Sequence, residues 1–286
     1  MKIGISANMY KNSYDRWGEK RYEKLKEHGF SCLDFGMADT DSILYTSSFE
    51  EAKSLLLHEK ELTEKAGVEI SQVHGPWRWP ARDFSPEDRA ERMEKMKKSI
   101  KLTSILGCKY WIVHPIMPMG VEEDGTEDAK LTWDMNIEFM SELLKTAKEY
   151  DITICLENMP MLKFSLAKPV DILRFVKTIN DDHFKICLDT GHVSVFEELS
   201  VGDEVRRLGD EIKTFHIHDN RFGWDLHLSP FYGRIDWDDF AKSLRDINFK
   251  GVFSLETLPP SVFPDDIFEE SCIIIAKIAG EIIKKI

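Results

Sequence analysis

The fifth strand-like segment of this chain reads Ile154-Cys155-Leu156-Glu157, a short apolar run that ends in a carboxylate. Three later apolar runs also end in a residue that binds metals or moves protons: Ile186-Cys187-Leu188-Asp189, Ile212-Lys213-Thr214-Phe215-His216 and Val252-Phe253-Ser254-Leu255-Glu256. If consecutive parallel strands end in this way, the four terminal side chains meet at one end of one sheet. Three carboxylates so close together repel each other unless a cation lies between them. The pattern predicts a divalent-metal site made by Glu157, Asp189, His216 and Glu256.

Strand-like and helix-like patterns alternate along the rest of the chain as well. Ser85-Pro86-Glu87-Asp88, for example, has the N-cap serine, the proline and the acidic first turn of a helix that runs to Leu106. Eight strand–helix units follow one another with no linker, which predicts a single (β/α)8 TIM barrel domain over residues 1–286. An open doubly wound sheet is the alternative, but no Gly-x-Gly-x-x-Gly turn follows the first predicted strand.

Composition narrows the classes of partner. The net charge is −13, so the surface repels phosphate backbones and nucleic acid is disfavoured. No apolar run approaches the roughly 20 residues that cross a bilayer, so no membrane partner is expected. Five scattered cysteines fit a reducing compartment, and residues 1–6 enter a strand without the pattern of a signal peptide. We therefore expect a cytoplasmic protein.

Histidines reinforce the prediction of a site at the strand ends. A single histidine there is often only a hydrogen-bonded loop residue, and a single glutamate can simply cap the next helix. The joint pattern favours a site at the C-terminal rim of the barrel, where the strand-to-helix loops converge. Mostly oxygen ligands with one nitrogen suit Mn²⁺, Mg²⁺ or Co²⁺, and Zn²⁺ also fits. Six of the nine histidines follow predicted strands: His74, His114, His192, His216, His218 and His227.

The strand-end motifs resemble those of a known family. Leu156-Glu157-Asn158-Met159-Pro160, Leu188-Asp189-Thr190-Gly191-His192, His216-Ile217-His218-Asp219-Asn220 and Leu255-Glu256-Thr257 are similar to the xylose isomerase-like TIM barrel superfamily. That group includes sugar and sugar phosphate isomerases and epimerases, inosose dehydratases and the endonuclease IV repair enzymes. The resemblance implies one divalent metal, no organic cofactor, and substrate contact by His192. Barrels of this type often form dimers or tetramers, so a homo-oligomer is one expectation.

Endonuclease IV is the main alternative that the resemblance raises. Its three zinc ions would need five further ligands, and matching residues are present in this chain. The acidic surface nevertheless favours a sugar or polyol substrate over DNA. The five residues are His74, His114, His192, Asp225 and His227.

The reaction stays open at the level of sequence. Glu157 and Glu256 are the predicted catalytic pair, one carboxylate removing a proton beside a carbonyl and the other returning it through an enediolate. Epimerisation, isomerisation and dehydration all fit this scheme, and a barrel that only binds a ligand is a further alternative. An acid that ketose 3-epimerases carry shortly after the fifth-strand glutamate is absent from Met161-Leu162-Lys163. The predicted substrate contacts are His192, His218, Arg221, Lys163, Trp77 and Trp224.

Overall fold

The computed structural model describes residues 1–7, 13–77, 79–81, 83–257 and 259–286. Eight parallel strands pair in the order β7-β6-β5-β4-β3-β2-β1-β8. Beyond the strand ends, a parallel bridge between Ile217 and Leu255 joins β7 to β8, and the Ile217 amide donates to the carbonyl of Ser254 at 2.8 Å. The sheet is thus a nearly closed (β/α)8 barrel, which confirms the predicted fold and excludes the open sheet. The strands are β1 Ile3–Ser6, β2 Cys32–Gly36, β3 Glu69–His74, β4 Tyr110–Val113, β5 Thr153–Glu157, β6 Phe184–Asp189, β7 Ile212–His216 and β8 Phe253–Leu255.

The helices between the strands begin and end where the sequence provides caps. The Ser48 and Ser85 hydroxyls accept hydrogen bonds from the backbone amides of Glu51 and Asp88, whose carboxylates accept from the serine amides in return. Gly67 ends the first of these two helices with a φ of 68°, a left-handed conformation that suits glycine. The helices are α1 Ser13–Trp17, α2 Arg21–Glu27, α3 Ile43–Thr46, α4 Phe49–Ala66, α5 Pro86–Leu106, α6 Glu127–Glu149, α7 Pro169–Ile179, α8 Thr190–Ser194, α9 Val201–Leu208, α10 Trp237–Asp246 and α11 Asp265–Ile283. Two 3₁₀ turns lie at Gly18–Lys20 and Gly209–Glu211.

Most of the apolar core lies between the strands and the helices. Phe215 and Phe253 point outward from β7 and β8, and their rings lie 5.8 and 6.1 Å from the ring of Phe240 on α10. All three are fully buried, and truncating such a side chain to alanine typically costs about 3–5 kcal/mol. Because side chains alternate along a strand, the neighbouring His216 and Ser254 point into the barrel. Among the helices that the structure describes, none combines the length and the apolar composition needed to cross a membrane.

Candidate metal centre and active site

The four predicted metal ligands meet at the C-terminal end of the barrel. One ligand atom each from Glu157, Asp189, His216 and Glu256 lies within 4.8 Å of the other three. His216 Nδ1 is 2.8 Å from Glu157 Oε1 and 3.5 Å from Glu256 Oε2. All four residues are buried. One imidazole nitrogen and three carboxylates form a donor set that fits a divalent cation.

Strand register explains why these side chains converge. Asp189 pairs with His216 across β6 and β7, and Glu157 pairs with Cys187, so the ligands occupy adjacent inward positions of three neighbouring strands. Asp189 also caps the short helix α8, since its Oδ1 accepts a hydrogen bond from the His192 amide at 2.6 Å. The turn after β6 therefore fixes both the ligand and the histidine that follows it.

The charges of the cluster are strongly coupled. Burial alone would raise the pKa of Glu157, but the facing His216 and His114 hold it well below its ordinary value. Burial opposes protonation of His216, yet the neighbouring Cys187 and the carboxylates of Glu157 and Glu256 raise its pKa well above the usual range. Burial raises the pKa of Glu256, helped by the charges of Glu157 and Asp189. Like charges are thus crowded together at this site, and a bound cation would relieve their repulsion.

Beside the cluster, the carboxylate of Asp225 lies between the rings of His192 and His227. His192 Nδ1 donates to the carbonyl of Asn158 at 2.7 Å, and His227 Nδ1 donates to the carbonyl of Glu256 at 3.0 Å. In both rings Nε2 lies 3.4 Å from Asp225 Oδ2. Burial opposes the positive charge of both rings, but the neighbouring carboxylates raise the pKa of His192 to about 10 and that of His227 to about 9.

His74 and His114 contact the second carboxylate oxygen of Glu157, and the His74 ring stacks on the His216 ring with the centroids 5.6 Å apart. His114 Nε2 is 2.9 Å from Glu157 Oε2, and His74 Nε2 is 3.8 Å from the same oxygen. Burial lowers the pKa of His114 to about 4, so this ring is neutral near pH 7. The two oxygens of Glu157 therefore face different partners: Oε1 faces His216, and Oε2 faces His74 and His114.

A cavity of about 410 Å³ opens onto these groups, and Glu157 and Glu256 both line it. Its size lies in the range of small-molecule sites. The polar part of the lining also includes His74, His114, His192, Asp225 and His227. The apolar part consists of Ala38, Trp77, Trp79, Met159, Pro160 and Met161.

Residues 22–278 match the family model described as xylose isomerase-like TIM barrel. This chain belongs to that family. The resemblance of its strand-end motifs is thereby confirmed.

Relatives in the xylose isomerase-like family differ in their named activities. A D-psicose 3-epimerase of Enterocloster bolteae is 25% identical over 265 residues, which cover 90% of this chain and 82% of that protein. A probable endonuclease 4 of Acholeplasma laidlawii is 23% identical over 223 residues, which cover 72% of this chain and 71% of that protein. The crystal structure of a D-tagatose 3-epimerase-like protein has a TM-score of 0.76 and 25% identity, and the match covers 99% of this chain and 97% of that one.

Some predicted substrate contacts lie away from the cavity of this xylose isomerase-like barrel. Lys163 is exposed and pairs with Glu123 at 2.7 Å, and Trp224 is 69% exposed. His218 is fully buried, its Nε2 donates a hydrogen bond to Asp189 Oδ2 at 3.0 Å, and its ring stacks on that of His227 with the centroids 4.2 Å apart. These three side chains and Arg221 do not line the cavity, whereas His192 and Trp77 do.

Sequence reasoning missed one carboxylate near the cluster. Asp34 Oδ2 lies 2.9 Å from His216 Nε2, on the side of the ring away from Glu157. The segment Ser31-Cys32-Leu33-Asp34-Phe35 is a predicted strand, and its aspartate is fully buried. A charged residue inside an otherwise apolar strand was the available signal, because an acid is rarely buried without a partner.

Proposed function

We propose that this chain is a metal-dependent isomerase or epimerase of a sugar or polyol, which moves a proton beside a carbonyl group. The observation that carries the proposal is the placement of Glu157 and Glu256. Both carboxylates line the same small-molecule cavity and both face His216 Nδ1, and they stand at the ends of β5 and β8, which are three strands apart around the barrel. Epimerase relatives of comparable length support the same class of reaction.

The metal would be held by Glu157, Asp189, His216 and Glu256. Asp189 and His216 lie beneath the cavity and do not line it, whereas the two glutamates belong both to the ligand cluster and to the cavity wall. When bound, a divalent cation supplies positive charge that stabilises the negative charge developing on substrate oxygens.

The two glutamates would carry the proton. A carboxylate on one face of the substrate removes the proton beside the carbonyl, and the second carboxylate returns a proton from the other face. Return to the opposite face of the same carbon gives an epimer, and return to the neighbouring carbon gives an isomer. Loss of a β-hydroxyl from the same enediolate gives the dehydration product of an inosose dehydratase-like lyase.

Substrate hydroxyls would bind to the polar side of the cavity. The Nδ1 atoms of His192 and His227 are engaged by backbone carbonyls, so Nε2 of each ring and the Asp225 carboxylate are the atoms that can meet a ligand. Trp77 and Trp79, whose ring centroids lie 6.3 Å apart, form the apolar wall against a sugar face.

Solvent-deuterium incorporation tests this function. The metal-loaded protein is incubated in D₂O with a panel of ketoses and keto-inositols, and carbon-bound deuterium is measured by NMR. We expect exchange with at least one substrate, and a loss of roughly 100- to 10,000-fold in Glu157→Gln and Glu256→Gln, typical for removal of a general acid or base. Exchange that is unchanged in both variants would refute the catalytic pair.

Phosphodiester cleavage by a multi-zinc site is the second candidate, and one observation favours it. His74, His114, His192, Asp225 and His227 all line the cavity beside the cluster. Against it, a net charge of −13 makes binding to a phosphate backbone unfavourable. Elemental analysis separates the two: one ion per chain supports the sugar enzyme, while three zinc ions with cleavage of abasic-site DNA support the nuclease.

A further inference from the structure

We propose that Asp34 is a positioning residue that fixes the His216 ring with Nδ1 free to bind the metal. The inference rests on the proposed metal site and adds a residue to it. It starts from geometry: Asp34 lies on β2, and its Oδ2 is 2.9 Å from His216 Nε2. Strands β1 and β8 separate β2 from β7 in the sheet, so this hydrogen bond crosses the interior of the barrel.

The direction of that hydrogen bond follows from chemistry. An ionised carboxylate only accepts hydrogen bonds, so Nε2 of His216 must carry the hydrogen. A neutral imidazole with its hydrogen on Nε2 has its lone pair on Nδ1, the atom that faces Glu157 and Glu256. A histidine bound to a metal through one nitrogen usually donates the other N–H to such a partner, which sets the orientation of the ring.

Asp34 depends on this contact as much as His216 does. Its side chain is fully buried, and His216 is its only cationic partner within ion-pair distance among the residues that the structure describes. Gln72 supports the arrangement from β3, because its Nε2 donates to Asp34 Oδ2 at 3.2 Å and to the carbonyl of Phe215 at 3.1 Å. The amide thus ties the carboxylate to the residue next to His216.

Asp34 is not itself one of the ligands. The clustered ligand atoms of Glu157, Asp189, His216 and Glu256 do not include it. It lies on the far edge of the ring, behind the ligand cluster as seen from the cavity, which it does not line. Its influence on metal binding therefore passes through the imidazole.

Affinity for Mn²⁺ tests the inference, measured by calorimetry on chelator-treated protein. Asp34→Asn keeps the size of the side chain and removes its charge, and we expect binding weaker by roughly 10- to 100-fold, as for other partners of ligating histidines. Ser6→Ala is the matched control: Ser6 pairs with Asp34 across β1 and β2, is equally buried, and its hydroxyl has no hydrogen-bond partner among the residues that the structure describes. We expect its affinity to stay within about twofold of the parent. Asp34→Ser, which removes the carboxylate without adding bulk, replaces the asparagine variant if that one does not fold.

Nitrogen NMR of ¹⁵N-histidine-labelled, Zn²⁺-loaded protein gives a second readout that a purely structural role would not move. His216 signals, assigned by difference from His216→Gln, should show a metal-bound Nδ1 and a protonated Nε2, and Asp34→Asn should shift the Nε2 signal. The inference would be overturned if Asp34→Asn left both the Mn²⁺ affinity and the His216 nitrogen signals unchanged. A variant that only lost thermal stability would overturn it in the same way. Neither readout needs a sugar, so this inference can fail while deuterium exchange persists, or hold while exchange is absent. A parent chain that binds no divalent cation would overturn both proposals.

Discussion

Gly191→Ala adds a single carbon atom, and we expect this small change to disturb the site strongly. A Cβ atom at this position would lie 1.9 Å from His218 Cε1, 2.2 Å from Nδ1 and 2.5 Å from Nε2. The imidazole of His218 cannot swing away freely, because it is fully buried, stacks on His227 and is hydrogen-bonded to Asp189. Gly191→Ala must therefore displace either the ring or the short helix α8, which carries Gly191 and is capped by Asp189.

The cost can be worked out from two contributions. Forcing an extra carbon into a packed interior costs about 1–3 kcal/mol. Breaking the hydrogen bond between His218 and the buried Asp189 carboxylate adds about 1.5–3 kcal/mol, as for other bonds to charged groups. Taking about 3 kcal/mol as the lower expectation, a chain of this length should lose roughly 5 °C in melting temperature, from an unfolding entropy near 2 cal/mol/K per residue.

The assay is thermal unfolding followed by tryptophan fluorescence, with calorimetric Mn²⁺ affinity as a second readout because Asp189 belongs to the ligand cluster. Gly280→Ala is the matched control, since this residue lies in α11 and, apart from the backbone of its own helix, no heavy atom of the described residues lies within 4 Å of the added carbon. Removing a helical glycine there should stabilise the protein by up to about 1 kcal/mol. In a His218→Ala background the clash partner is gone, so Gly191→Ala should then cost much less. Equal costs in both backgrounds would refute the steric explanation.

Three further outcomes are expected. Saturating Mn²⁺ at about 100 times its Kd should stabilise the chain by about 2.7 kcal/mol, and unchanged melting curves would contradict the proposed metal site. Asp83→Asn breaks the buried ion pair between Asp83 and Arg92 and leaves the cation buried without its partner, so it should lower the free energy of urea unfolding by about 3–5 kcal/mol. Lys109→Gln is the control: it breaks the exposed ion pair with Asp151 and should change that free energy little. Burial lowers the pKa of His28 below 6.5, so the unfolded chain takes up a proton first and stability falls as the pH drops below 6.5. In His28→Gln this part of the pH–stability curve should flatten, and an identical slope would contradict the assignment.

The fold was predictable because strand and helix signals agree with each other along most of the chain. Ser85, for example, marks a helix start in the sequence and makes the expected capping bond in the structure. The charged segment near residues 16–28 predicts one helix from the sequence alone, but the structure divides this region into α1, a 3₁₀ turn and α2. Gly18 has a φ of 53° at that break, and a left-handed residue cannot continue an α-helix.

The ligand cluster was predictable for a different reason. Ligand-type residues at the ends of successive parallel strands must lie at one end of the barrel, whatever the loops do. Substrate contacts depend on loop conformation, which leaves no such periodic signal, and Lys163 shows the consequence: it pairs with a surface glutamate instead of reaching the cavity. His218 follows His216 by two positions, but packing on Gly191 and His227 buries it beside Asp189.

Part of the interior of this barrel, below the site, is filled by polar side chains. Barrels of this class are usually filled by layers of bulky branched side chains. Here the inward positions on β1, β2, β3 and β8 hold the buried polar residues Ser6, Asp34, Gln72 and Ser254. The apolar cluster formed by Ile112, Cys155 and Cys187 fills the other side. Such an interior contributes little hydrophobic stabilisation, so the outward faces of the strands must supply most of it. Substitutions at outward positions should therefore appear mainly in unfolding experiments, whereas at the inward position Asp34, which contacts His216, we expect the effect mainly in metal binding.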